Sequence, residues 1–398
     1  MIDSILSFLA HGLLQASAPV LIVYVLVVTQ LTIFSVTLYL HRSQAHRGVD
    51  FHPLIAHFFR FWTWLTTAMV TRQWVAVHRK HHAKVETAED PHSPMVHGIK
   101  RVFWQGVELY RVAANDKSIE EKYGRGTPDD WIERHVYSRF PEAGPTLLAL
   151  ASILLFGFWG LAIWAIQMLW IPFWAAGFVN GLGHYWGYRN FESSDTSTNL
   201  SPWGLWIGGE ELHNNHHAFP SSAKFALRKF EVDIGWVVIR LLASMRLAKV
   251  LRVAPALDLR PNVHLPDSET LKAVLTHRFR ALTDYYRQVI IPTLRDEAAQ
   301  ASERVRGVPS RLRRALADGG RWLDGEGRAR LQAMMERRPT LQTVLDYRAR
   351  LLAALDQRVP EQALHNLQQW VREAEASGIA VLQQYAARLS AYALPAAG

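Results

Sequence analysis

The chain has no cysteine among its 398 residues. Disulfide frameworks, thiolate metal sites, iron–sulfur clusters and cysteine nucleophiles are therefore excluded. Lysine and arginine are missing from residues 1–40, so the basic start of a secretory signal is not there. What the chain has in excess is histidine, 18 residues, beside a heavy aromatic load of 15 Trp, 17 Phe and 12 Tyr. The formal charge of +9 calls for an anionic partner, and the long apolar runs make that a lipid leaflet rather than nucleic acid. Mean hydropathy is close to zero because it averages two unlike parts. Residues 1–250 hold the apolar runs, whereas the sequence from about 265 onward is dense in Arg, Glu, Asp, Gln and Ala. The expected organisation is a membrane-embedded domain over residues 1–260 and a soluble helical extension over residues 261–398.

A spanning helix needs about 20 predominantly apolar residues. Residues 18–40 carry no charge and end at His41-Arg42, which predicts a span. Residues 145–187 form a second uncharged stretch, long enough for two spans with a turn near Gly160 or Gln167. Residues 2–16 are apolar but short, and fit a span, a re-entrant piece or an interfacial helix. Residues 53–71 enclose His57 and Arg60. An Arg at mid-bilayer costs ~2.5 kcal/mol or more, so this stretch reads as an amphipathic helix in the interface. The fold class expected is all-α: a polytopic membrane protein with three or four transmembrane helices, an interfacial helix and a histidine-rich cap. The loop from Arg72 to Arg139 and the chain after Arg189 are basic. The positive-inside rule places both in the cytoplasm, beneath the inner membrane.

The histidines fall in clusters at those boundaries: His41 and His46 in HRSQAH, His78, His81 and His82 in HRKHH, His184 in NGLGH, and His213, His216 and His217 in HNNHH. His-x-x-His-His on a helix puts imidazoles on one face, so each triplet is expected to aim at one point. Asn180 stands four residues before His184, again on one face. Neutral imidazole suits Fe, Zn, Cu and Ni, and nine imidazoles exceed the six donors of one octahedral ion. Two ions are the natural reading. A lone His pair is more often a surface feature, but four clusters at one membrane boundary are not explained that way. If the nine meet, residues 53–71 cannot cross the bilayer.

In these residues the sequence resembles the membrane fatty acyl desaturases, whose pattern is HxxxxH, HxxHH and HxxHH, and within them the Δ9 group. AEDPHSP, GHYWGYRNF and GGEELHNNHHAFP extend the likeness, which covers roughly residues 20–255. The resemblance implies two irons bound by His41, His46, His78, His81, His82, His184, His213, His216 and His217, with Asn180 reaching one iron through a water. It implies a cis double bond introduced into a saturated acyl chain, with O2 as co-substrate and two electrons from an external reductase, ferredoxin or cytochrome. Unactivated C–H bonds are beyond side-chain chemistry, so the cofactor must supply it, and no catalytic residue is expected outside the metal centre. The substrate is lipid-linked or CoA-linked, with lipid favoured by the likeness to bacterial phospholipid desaturases.

The protein's own tasks are placement and exclusion. Trp74, Tyr185, Trp186, Trp203 and Trp206 are candidates for a tunnel wall, or else form an interfacial aromatic belt. Asp90, Asp195, Glu210 and Glu211 are candidates to orient the ligands' second ring nitrogens. Arg72, Arg79, Lys80 and Arg189 could hold an acidic headgroup or a CoA phosphate, or serve as membrane anchors. The other nine histidines, His92 among them, carry no assignment. Beyond residue 265 apolar residues recur at helical spacing, with breaks at Pro309, Gly319-Gly320, Pro339 and Pro360. Two other functions compete: a related membrane hydroxylase or monooxygenase, and a non-catalytic metal-binding or transport protein.

Overall fold

The computed structural model describes residues 2–300 and 310–395; Pro309 lies outside the described residues. The chain divides into two compact units. One comprises residues 1–189 and 195–254, the other residues 190–194 and 255–398.

The first unit is helical: α1 (Ile2–His11), α2 (Ala18–Ala45), α3 (Pro53–Thr67), α4 (Thr71–Lys84), α5 (Ile99–Ala114), α6 (Ala143–Phe156), α7 (Phe158–His184) and the short α8 (His213–Ala218), with smaller turns between. Among the described residues only α2 and α7 are long and apolar enough to cross a membrane, rather than the three or four helices expected. The reason is length. With 14 residues, α6 reaches ~21 Å at 1.5 Å per residue, short of a ~30 Å hydrocarbon core; α1, with 10 residues, is shorter still.

The hairpin turns at Gly157, not at Gly160 or Gln167. Gly157 has φ +62°, and a side chain there would strike the backbone around Leu9 and Gly12. Gly160 serves a different end: a Cβ on it would overlap the Ser152 carbonyl, so its hydrogen lets α6 and α7 touch. The N–H groups of Leu13 and Leu14 donate to the carbonyls of Leu154 and Leu155, and Tyr24 packs on Phe156 at 4.8 Å. Residues 2–16 thus cap the end of the hairpin that carries its turn, while the histidines lie at the far ends of α2 and α7.

Those far ends change geometry. Ser35–Ala45 of α2 and Pro172–Gly181 of α7 are π-helical, a form that recurs at functional sites. Val49–Phe51 pairs antiparallel with Ala248–Val250 and leads into α3. There Arg60 is buried and bonded to Asp130 at 2.7 Å and Glu133 at 3.6 Å. That pairing explains how a cation sits within an apolar run. Leu54, Phe58 and Phe61 on the same helix are exposed, which fits the amphipathic character read from sequence.

The second unit packs its own core around Tyr285, Ile290, Leu351, Leu367, Trp370 and Leu389. The expected breaks act there as punctuation. Pro339 and Pro360 open helices Pro339–Leu355 and Pro360–Glu375, where a missing N–H costs nothing, and Gly319 and Gly320 take positive φ after Ser310–Asp318.

Candidate metal centre

The nine histidines come together in two groups. His41, His46, His78, His82 and His216 form one; His81, His184, His213 and His217 form the other; within each group the ligand-capable atoms lie within 4.8 Å of one another. The expectation that each His-x-x-His-His triplet aims at one point is corrected. On α4, His78 and His82 enter the first group and His81 the second; on α8, His213 and His217 enter the second and His216 the first. Successive residues on a helix are about 100° apart, so the i, i+4 pair stays together while the remaining imidazole turns to the neighbouring group.

The first box works differently. His41 and His46 are five residues apart, which an α-helix would put on divergent faces. The π-helical turn closes that spacing: the His46 N–H donates to the His41 carbonyl at 3.1 Å, and the two rings stand 5.0 Å apart.

Several ring nitrogens face one another at hydrogen-bond distance. Nε2 of His41 lies 3.0 Å from Nε2 of His216, His46 2.8 Å from His78, His82 2.9 Å from His216, and His184 3.0 Å from His213. Four rings are fixed from behind by carboxylates. Nδ1–H of His41 donates to Glu210 at 2.8 Å, His81 to Asp90 at 2.9 Å, His184 to Glu86 at 3.2 Å and His217 to Asp195 at 3.0 Å. With the proton on Nδ1, each Nε2 presents a lone pair to the cluster. Nε2 of His81 and of His217 is buried without a hydrogen-bond partner, a costly state that a cation would relieve. Burial and neighbouring imidazoles hold His46, His78, His82, His213 and His216 well below the ordinary histidine pKa. Burial lowers His217 to about 4, although Asp195 opposes it. Neutral imidazoles are what a metal requires, so this donor set fits a pair of metal ions.

Of the four acids expected behind the ligands, Asp90, Asp195 and Glu210 are in place. Glu211 is not: it accepts the backbone N–H groups of Trp206, Ile207 and Gly209 and holds that turn. Its place is taken by Glu86, which also accepts from Thr196. Glu86 has φ +59°, and its position four residues after His82 was the available signal. Arg42 is a second residue the sequence did not single out. Fully buried, it pairs with both oxygens of Asp233 at 2.9 and 3.0 Å, donates to the Ala223 and Gly208 carbonyls, and lies 3.8 Å over Phe225.

Three of the four basic candidates are bonded within the protein. Arg79 donates to the carbonyls of Gln44, Ala45, Tyr123 and Arg125, closing the π-helical end of α2. Arg72 pairs with Glu120, and Arg189 donates to the Asp195 and Ser197 carbonyls.

A cavity of about 500 Å³ opens onto the histidines, touching His41, His78, His213, Glu210 and Asn180. Its wall is largely apolar, from Ile33, Val36, Met69, Ile171, Val179 and Ile207, and its volume is that of a small-molecule site. Trp74 lines it and stacks on His78 at 4.9 Å. The other aromatic candidates do not: Tyr185, Trp186 and Trp203 are 57%, 65% and 61% exposed, and Trp206 packs on Trp170 and Trp174.

Comparison with known proteins bears on the same residues. Residues 17–240 match the family described as fatty acid desaturase. The chain is 31% identical over 225 residues to a Delta-9 acyl-lipid desaturase 1 of Arabidopsis thaliana, covering 54% of this chain and 69% of that protein. It is 32% identical over 224 residues to an icosanoyl-CoA 5-desaturase of Limnanthes douglasii, covering 54% and 60% respectively. With an sn-1 stearoyl-lipid 9-desaturase of Synechocystis sp. it shares 31% over 224 residues, 55% of this chain and 68% of the other.

Proposed function

The chain belongs to the fatty acid desaturase family, and on that premise we propose that it is an oxidoreductase that introduces a cis double bond, at the Δ9 position, into a saturated acyl chain. The nine histidines would hold two irons, five imidazoles in one group and four in the other, and Asn180, which lines the adjoining cavity, would reach one iron through a water. When bound, the iron pair supplies the activation of O2 that breaks unactivated C–H bonds, with electrons from an external donor protein. The rest falls to this chain's own residues. The cavity between α2, α4, α5 and α7 binds the acyl chain and fixes which carbons face the cluster, a gain of orientation. Its apolar wall excludes water. Glu86, Asp90, Asp195 and Glu210 keep the Nδ1 protons in place and the rings aimed. Residues 1–260 carry the reaction and residues 261–398 are an appended helical domain. The protein sits in the inner membrane as a multi-pass chain with its cluster on the cytoplasmic side.

The observation that supports this most is the convergence of nine buried imidazoles in groups of five and four beside an apolar cavity. The relatives named as acyl-lipid and stearoyl-lipid desaturases support a lipid-linked chain. The hydroxylase alternative is not favoured, since the relatives named above are all desaturases. Expression in cells lacking desaturases, with the product resolved by lipid class and mass, tests the proposal. Loss of two hydrogens in phospholipid chains is expected; gain of an oxygen overturns it.

A further inference from the structure

The helix that follows HNNHH carries an apolar face on its outer side. α9 (Ile234–Ser244) is held from within: Ile239 is buried in the same apolar cluster as Ile33, Val36 and Leu40 of α2 and Phe59 of α3. Its N-cap Asp233, bonded to Arg42, accepts the N–H of Trp236. On the outer side Val237, Leu241 and Met245 are exposed, at the i, i+4, i+8 spacing of one helix face. Cations surround that stripe. Residues 234–257 contain Arg240, Arg246, Lys249 and Arg252 and no acid, and all four are exposed. Arg240 lies 5.8 Å over the Trp236 ring, and the acid nearest in strand register is Asp50, opposite Lys249.

The neighbours of α9 say what covers this face. Ile33 is two turns beyond the exposed Leu26 of α2, ~10 Å along the helix. The His52 N–H donates to the Leu247 carbonyl, so α3, with Leu54 exposed in its first turn, opens beside the end of α9. The stripe is therefore continuous with the apolar surface of α2 and α3, and its rim has one sign of charge. An apolar face with a basic border fits an anionic lipid surface. We propose that α9 lies in the membrane interface, with Val237, Leu241 and Met245 among the acyl chains of the cytoplasmic leaflet. Arg240, Arg246, Lys249 and Arg252 then hold anionic phospholipid headgroups, their stems lying along the apolar surface. The role rests on α2 crossing the bilayer, as described under Proposed function.

The absence of cysteine allows a single introduced thiol to carry a bimane label alone. The full chain is reconstituted in vesicles of phosphatidylcholine and phosphatidylglycerol, labelled at Leu241→Cys, at Leu26→Cys or at Ala88→Cys, an exposed position two residues after Glu86. Val237→Cys replaces Leu241→Cys should that variant not fold. Brominated lipid quenches from the bilayer and acrylamide from water. Brominated lipid should quench the Leu241→Cys label at least about threefold more than the Ala88→Cys label, with acrylamide in the reverse order. At equal mole fraction, brominated phosphatidylglycerol should quench Leu241→Cys about threefold more than brominated phosphatidylcholine, and high salt should remove that preference. Adding Arg240→Gln, Arg246→Gln and Lys249→Gln together should bring the two lipids level; the salt series needs no substitution of the cations and carries the test if that variant does not fold. Acrylamide quenching Leu241→Cys as strongly as Ala88→Cys overturns the inference, and an acidic protein partner would then be the reading of this face. Equal quenching by the two lipids at low salt overturns it as well. Absence of lipid quenching at Leu26→Cys would overturn the span of α2 itself, so the two failures are told apart.

Discussion

Glu86 offers the sharpest test of how the cluster is held. Its Oε1 accepts Nδ1–H of His184 at 3.2 Å and the N–H of Thr196 at 2.8 Å, with both side chains buried. Glu86→Gln keeps an accepting oxygen and the volume but removes the charge. A hydrogen bond to an ionised group contributes ~1.5–3 kcal/mol, and about half of that is charge assistance. The expected loss at His184 is about 0.8–1.5 kcal/mol, or up to roughly tenfold in metal affinity, the low end of what such supporting acids contribute. Because His184 belongs to the four-imidazole group, only one of the two irons should be weakened. Anaerobic competition against an iron(II) chelator reads this as half the metal leaving at about tenfold lower chelator. Glu210→Gln, behind His41, should release the other half. Glu211→Gln touches no imidazole and should leave metal affinity unchanged while lowering the melting temperature. Parent-like retention of both irons in Glu86→Gln would refute the reasoning, and so would equal iron loss in Glu211→Gln.

Other outcomes follow from the same geometry. Asp233→Asn leaves Arg42 buried without its counter-charge, and the thermal unfolding of the detergent-solubilised chain should show a loss of about 3–5 kcal/mol. Arg79→Met frees the carbonyls of Gln44 and Ala45, so the π-helical turn should relax and iron should be lost from the five-imidazole group, read as iron per chain. The metal-free protein should lose stability as pH falls. His217 titrates near 4 when folded and about 6.5 unfolded, so the unfolded chain binds more protons below pH ~6.5 and stability drops from there down to about 4. Melting curves after chelation at pH 7.5 and 5 check the sign.

The convergence of the nine histidines was legible because histidine is rare, and four clusters of it beside apolar runs are not explained as surface features. How the clusters interleave was not. A pattern of i, i+3, i+4 says that the rings share a side of the helix, but whether one point or two receives them depends on what faces the helix. The five-residue spacing in HRSQAH works only on a π turn, and nothing in those letters announces one. Acids near the boxes were mostly identified correctly because Asp and Glu are seldom buried without a partner. Glu211 and Glu86 show the limit: both are buried acids near boxes, and only the backbone path decides which meets a ring and which meets a turn. The turn at Gly157 was expected near Gly160 or Gln167, since Gly157 and Gly160 look alike in sequence and differ in what lies against them. Arg42 was hidden by its neighbour, as a basic residue after an apolar run suggests an anchor at the membrane surface rather than a buried pair.

Protein donors that are all imidazole also have little means of choosing their metal. Affinities for such donors rise from iron(II) through nickel to copper, with zinc also above iron, and Arg79 and the four acids hold the rings in place whichever ion arrives. Occupancy is then governed by what the host supplies during synthesis. A preparation with two metals per chain and no turnover would point first to zinc or copper in the cage, and reloading with ferrous salt after chelation should restore it.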